Sequence, residues 1–192
     1  MKAVRNILAV IGVLAIAAVV AGWIAFDNFA SRLDPQAFRV FREVGARYLQ
    51  DLDPGTALVR VERVKDGLKP EEVAESLKSL AVQHNLLFVG EAPFYKQVEA
   101  ITGKPYRFIA FYSFCDAKVG ALMADYNNTY SAFMPCRIAL VQDPDGTLWL
   151  QMMDLELLIY GGKPLPPELK AGAIKVREAL NQLIIGAAQG EI

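Results

Sequence analysis

The residues with chemical potential in this sequence gather around two cysteines. Cys115 falls at the end of a strand-like run and Cys136 at the start of another, with 20 residues between them. If those strands are neighbours, the thiols meet. In an oxidising compartment they would close a disulfide contributing about 3 kcal/mol in the chain-entropy model. In a reducing one they would remain two buried thiols, and the sharper alternative is a redox couple or a soft-metal site. The metal version adds Met134, and after it Met152 or Met153, because thiolate and thioether ligands select Cu(I). Methionine more commonly fills gaps in a core. Arg137, beside Cys136, is a candidate anion contact or a charge that favours the thiolate; the plain alternative is an exposed strand residue.

His84 is the single histidine of the chain. At the end of a helix it suits the dipole; as a ligand it would be the lone histidine available to a non-covalently held haem. There is no Cys-x-x-Cys-His for covalent haem attachment, no Gly-x-Gly-x-x-Gly, no phosphate-cradling Gly-x-x-x-x-Gly-Lys-Ser/Thr and no Gly-x-Ser-x-Gly. Glu91, Asp116 and Asp125 read as solvated acids rather than a catalytic pair. Lys+Arg 20 against Asp+Glu 21 gives a net charge of −1, so no basic excess exists to hold nucleic acid. The aromatics between Tyr106 and Tyr130 could line an apolar pocket, although strand alternation sends half of them into a core. These observations predict no catalytic activity and no resident cofactor, with Cu(I) or haem as the exceptions to test.

The elements that must position these residues begin with a membrane segment. Residues 7–26 form 20 consecutive positions without a charge. As a helix they cover about 30 Å, the thickness of a bilayer's hydrocarbon core. A secretory signal has a shorter apolar region, of about 7–15 residues, and a small-x-small cleavage site, whereas Ala21-Gly22-Trp23 is a poor one. Trp23 and Phe26 suit the interfacial aromatic belt. Lys2 and Arg5 before the segment and Asp27 after it favour a cytoplasmic N-terminus, while Arg32, Arg39 and Arg42 oppose it. Long domains translocate largely regardless of charge. The expected location is a bacterial inner membrane, crossed once, with the soluble part in the periplasm. Ala17, Ala21 and Ala25 share one helix face, and small residues four apart let a partner transmembrane helix approach closely.

Asp34-Pro35 predicts a helix start, and residues 35–49 form an amphipathic helix with Phe38, Phe41, Gly45 and Tyr48 on one side. Such a helix either lies on lipid headgroups, packs on a partner or covers the domain's own core. Asp53-Pro54-Gly55 then makes a turn. Strands are predicted at 57–64, 86–89, 107–114, 138–141 and 148–152, and helices from Lys69-Pro70 to His84, at 117–126 and at 169–187. In the first strand Ala57, Val59 and Val61 fall on one face and Arg60 and Glu62 on the other. Asp143-Pro144-Asp145-Gly146 has the composition of a type I turn joining a hairpin. The implied organisation is a tail (1–6), a transmembrane anchor (7–26), a juxtamembrane helix and linker (27–55) and an α+β domain (56–192). Its antiparallel sheet is covered by helices on one face, leaving the other for a partner or a dimer.

Phe111-Tyr112-Ser113-Phe114-Cys115-Asp116, then a helix, then Met134-Pro135-Cys136-Arg137-Ile138 opening a hairpin on Asp145-Gly146, resembles the domain-of-unknown-function 302 family over residues 58–188. The resemblance implies a β-α-β(4)-α type fold of TATA-binding-protein-like shape, often dimeric, and carries no DNA-binding implication. It supplies no reaction. The expected role is an accessory or interaction subunit of an integral membrane protein complex, in contact with the lipid bilayer. The alternative is a small periplasmic redox, ligand-binding or metal-binding protein using Cys115 and Cys136.

Overall fold

In the computed structural model, which describes residues 2–192, the chain begins with helix α1, Lys2–Ala30. None of its described side chains is buried, and its mean hydropathy reaches 2.8 over 18 residues. It is long and apolar enough to cross a membrane, as an anchor or a signal sequence would be. After it come α2 (Ala37–Asp51), α3 (Pro54–Leu58), β1 (Val59–Arg63), α4 (Pro70–Gln83), β2 (Leu87–Ala92) and α5 (Phe94–Thr102). Then follow β3 (Ile109–Cys115), α6 (Ala117–Tyr126), a 3₁₀ turn (Asn128–Phe133), β4 (Cys136–Gln142), β5 (Leu148–Met153), α7 (Glu156–Tyr160) and α8 (Pro167–Gln189).

The five strands pair antiparallel in the order β1-β5-β4-β3-β2. Strand side chains alternate between faces, and one face carries Tyr112, Phe114, Ile138, Leu140 and Leu150, all at most 1% exposed. Against them pack Leu77 and Leu80 of α4 and Leu180, Leu183 and Ile184 of α8. The fold is thus α+β with helices on one side of an antiparallel sheet. The β4–β5 hairpin turns through a hydrogen bond from Gly146 N–H to the Asp143 carbonyl, with Gly146 at φ +92°, a conformation only glycine adopts cheaply.

Several elements differ from their expected form. The turn at Asp53 is the cap of α3: its carboxylate accepts the Gly55 and Thr56 N–H groups, and Ala57 belongs to that helix. In β1 the alternation is as expected but its polarity relative to the core is reversed. Arg60 and Glu62 pair across from Met152 and Leu150 on the helix side, where Arg60 reaches Asn181 of α8 at 3.1 Å. Val61 faces the uncovered side. The run expected as a buried strand, 86–89, contributes to an edge strand, with Leu87 and Val89 more than half exposed and a bulge between Phe88 and Gly90. Helix α5 is additional. Its N-cap is Pro93.

Asp34, expected as the cap of α2, is instead buried, with no side-chain exposure. Its Oδ2 accepts a hydrogen bond from Lys170 of α8, its Oδ1 one from the Gln36 N–H, and its own N–H donates to the Gly162 carbonyl. From this fixed point α2 lies along the domain, burying Ala37 and Val40 against Ile159, Tyr160, Leu165 and Leu169. Arg39 pairs with Glu156 at 2.6 Å, Glu156 also binds Arg177, and Arg47 pairs with Asp154 at 2.9 Å. Arg39, Lys170 and Arg177 lie 5.9, 5.1 and 5.8 Å from the Tyr160 ring centroid, in cation–π range. Of the three roles open to this helix, covering the domain's core is the one its inner face performs. Phe38, Phe41, Tyr48, Leu49 and Leu52 remain exposed.

Burial alone would raise the Asp34 carboxyl pKa, but the hydrogen bonds from Lys170 and Gln36 and the Lys170 charge outweigh it and hold the group below its ordinary value. A carboxyl depressed in the folded state stabilises it above the unfolded value, about 3.9, and loses that contribution as pH falls through the folded value. Lys170→Met strands a buried carboxylate and is expected to cost about 3–5 kcal/mol, with hydrogen exchange of the α2 amides rising first. Acidification of the native protein below about pH 4 should release the same amides. Unchanged α2 protection in both experiments would contradict this role for the pair.

Candidate functional site

Cys115 ends β3, and Asp116 immediately caps α6 by accepting the Lys118 and Val119 N–H groups. The cap turns the chain so that Gly120, in the first turn of α6, approaches two sulfurs. A Cβ on Gly120 would lie 3.4 Å from Met134 Sδ and 3.6 Å from Cys115 Sγ. Cys136 begins β4 with its side chain packed against the main core. These residues line an apolar cavity of about 70 Å³, closed by Met123, Tyr130 and Phe133. Tyr130 is fixed in a row of rings, 6.1 Å from Tyr126 and 6.3 Å from Phe133.

Both cysteines are free thiols, which corrects the expected disulfide. The register explains why: Cys136 lies opposite Phe114, not Cys115. The two cysteines are therefore diagonal neighbours that share one cavity rather than a directly opposed pair, whereas a disulfide needs the two Cβ atoms about 3.5–4.5 Å apart. Burial, then the neighbouring Cys115, pushes the Cys136 thiol up to about 11; burial, then Asp116, also raises Cys115. Arg137 does not offset this, because it points to the other face of the sheet. Its guanidinium lies 5.9 Å from the Phe111 ring centroid.

Met152 is buried among the core residues and Met153 lies on the uncovered face. His84 is the C-cap of α4 and lines neither this cavity nor the trough described below. Among the described residues no three His, Cys, Asp or Glu side chains converge. The sulfur set that remains is Cys115, Cys136 and Met134. A haem does not fit these residues: ligand pockets of that class run to several hundred Å³, roughly 300–1,000, and the sole histidine is elsewhere. Ala17, Ala21 and Ala25 are exposed on α1.

The second concavity is the uncovered face of the sheet, expected from the sequence as a partner or dimer surface. Gln151, Ala139 and Phe111 form one cross-strand row of its floor, and Arg137 opposite Ser113 begins the next. Ala139 and Ser113 are small, so the floor sinks between taller walls: Phe133, Met134 and Pro135 on one side, Pro54 and Leu58 of α3 on the other. The result is an open trough of about 820 Å³. Phe133, Met134, Cys136 and Leu155 line both concavities and form the partition between them. The legible signal was the alternation of Phe111 and Ser113 against Ala110, Tyr112 and Phe114.

The family model for the domain of unknown function DUF302 matches residues 62–187, from β1 into α8. The chain belongs to the DUF302 family. Helices α1, α2 and α3 lie outside the DUF302 match. The fold is also similar to the crystal structure of an uncharacterized conserved DUF302 protein from Bacillus stearothermophilus, with TM-score 0.54 and 15% identity over 67% of this chain and 96% of that one. No curated protein matches the chain.

At pH 8, iodoacetamide should modify Cys136 about two orders of magnitude more slowly than an unperturbed thiol, because so little of it is thiolate. Peptide-resolved mass spectrometry reads this without reductant. Reaction of Cys136 at the ordinary rate would contradict the thiol's environment, and labelling that requires reductant would restore the disulfide.

Proposed function

We propose that this DUF302 protein is an accessory or interaction subunit held in the bacterial inner membrane by α1, with its soluble domain in the periplasm beside an integral membrane protein complex. The observation that carries this reading is the coupling of a wholly exposed apolar helix to the domain through the buried Asp34–Lys170 pair. Six residues, 31–36, separate α1 from α2, and within them Asp34 is bonded to α8 and to Gly162. A domain joined this way does not swing freely on its anchor, which suits a part that must present one surface to a fixed neighbour. Phe26 of α1 and Phe38 of α2 touch across the junction, their ring centroids 5.7 Å apart.

In this reading the stripe of Ala17, Ala21 and Ala25 receives the partner's transmembrane helix. The exposed Phe38 and Phe41 of α2 and Leu52 at its C-cap meet the bilayer surface. The exposed edge β2 is where a homodimer would form. A second reading, a small redox or metal-binding protein, is favoured by the approach of Cys115 and Met134 around Gly120, with Cu(I) as the ion such sulfurs select.

Ala17→Leu with Ala21→Leu should abolish co-purification of larger integral membrane proteins, scored by native mass spectrometry after mild-detergent extraction without chelator or reductant. Unchanged stoichiometry in the double variant removes the stripe as the contact. Recovery of the wild-type chain alone, carrying copper, would favour the second reading.

A further inference from the structure

We propose that the uncovered face of the sheet is a binding site for a single-chain amphiphile with an anionic head, of the fatty-acid class. Apolar side chains dominate the trough: Phe111 and Ala139 on the floor, Met153 beside them, and Phe133, Pro54 and Leu58 in the walls. Its one charged residue is Arg137, and no acidic side chain lines it. Every other arginine of the soluble domain that faces a packed element has a carboxylate or amide partner, as Arg39, Arg47, Arg60 and Arg177 do. Arg137 makes no salt bridge among the described residues; its guanidinium rests on the Phe111 ring. A guanidinium offers a planar fork of donors that matches a carboxylate, and the Ser113 hydroxyl lies directly across the strand pair to share the same head.

Charge and shape together select the ligand. A free inorganic anion would satisfy Arg137 and leave the apolar walls wet, while a neutral alkyl chain would fill the trough and leave the cation unpaired. A molecule with one anionic end and an apolar body satisfies both. The volume of about 820 Å³ is within the range of natural ligand sites, roughly 300–1,000 Å³. The site goes beyond the subunit reading and does not depend on α1 being the contact with another protein.

The test uses the full chain in phosphatidylcholine nanodiscs and a hexadecanoic acid carrying a diazirine near its methyl end, with labelled peptides mapped by mass spectrometry. Labelling is expected in the peptides holding Phe133 and Ala139, with competition by dodecanoate and not by dodecanol. Arg137→Gln should weaken dodecanoate competition at least about tenfold, in line with the loss of a charge-assisted hydrogen bond, and Arg137→Lys should recover part of it. Ala139→Trp, which fills the floor, should abolish labelling while the rest of the exchange pattern is kept. The proposal is overturned if labelling is confined to α1, if dodecanol competes equally, or if Arg137→Gln binds like wild type. It is equally overturned if a second copy occupies the trough, seen as a dimer whose Ala139 peptides are protected without ligand. Failure of the subunit reading would leave these outcomes unmoved, because none of them requires a partner complex.

Discussion

The Asp34–Lys170 pair is the interaction on which the layout of this molecule depends. It joins the segment that leaves α1 to the helix that closes the fold, 136 residues later in the chain. A carboxylate with no exposure is costly unless paired and hydrogen-bonded, and here both conditions are met by Lys170 and by the Gln36 N–H. Once that point is fixed, α2 has one place to lie. The arginines along it then find Glu156 and Asp154, and three cations gather on Tyr160. Removing the pair would leave a domain with its DUF302 core intact and α1 loosely attached.

The core follows from a different constraint, that the sheet is covered from one side only. Helices α4 and α8 lie together over the central strands, and Tyr112, Phe114, Ile138, Leu140 and Leu150 of β3, β4 and β5 pack with them in one core. On the opposite face α5 meets the β3 end, where the Phe94 and Phe111 ring centroids lie 5.8 Å apart, and the rest forms the open trough. Its central floor is therefore made of small or polar residues, Ala139, Ser113 and Gln151, with Phe111 and Met153 around them. The same alternation that builds the core thus determines what the open face can recognise. It also separates the chemistry of neighbours in sequence: Cys136 turns inward to an apolar cavity that suppresses its ionisation, and Arg137 turns outward to the trough.

Much of this was legible in the sequence where periodicity was unambiguous. The apolar run of α1, the stripe of α8 and the Asp143–Gly146 turn each follow from residues a few positions apart, and α6 spans the expected 117–126. What was not legible depended on which face the rest of the chain would cover. Val59 and Val61 alternate with Arg60 and Glu62 as a strand should, yet the polar pair is the one beneath α8, where Arg60 donates to both Asn181 and Glu62. Leu87 to Val89 look like interior residues and lie at an edge, since β2 has a neighbour on one side only. The two cysteines sit at the strand ends where the sequence put them, but no local signal announces the register that sets Cys136 opposite Phe114. Asp34 reads as a helix cap by its type and position; only its distant lysine makes it a buried tie.

The central claim is that α1 stays on the protein and holds it in the membrane. The most direct measurement is the intact mass of the chain recovered from carbonate-washed membranes. The account predicts that the protein resists the wash and carries α1 in full, at about the 21.1 kDa of the whole chain. A soluble species whose N-terminus begins after residue 20, with α1 removed, would contradict it.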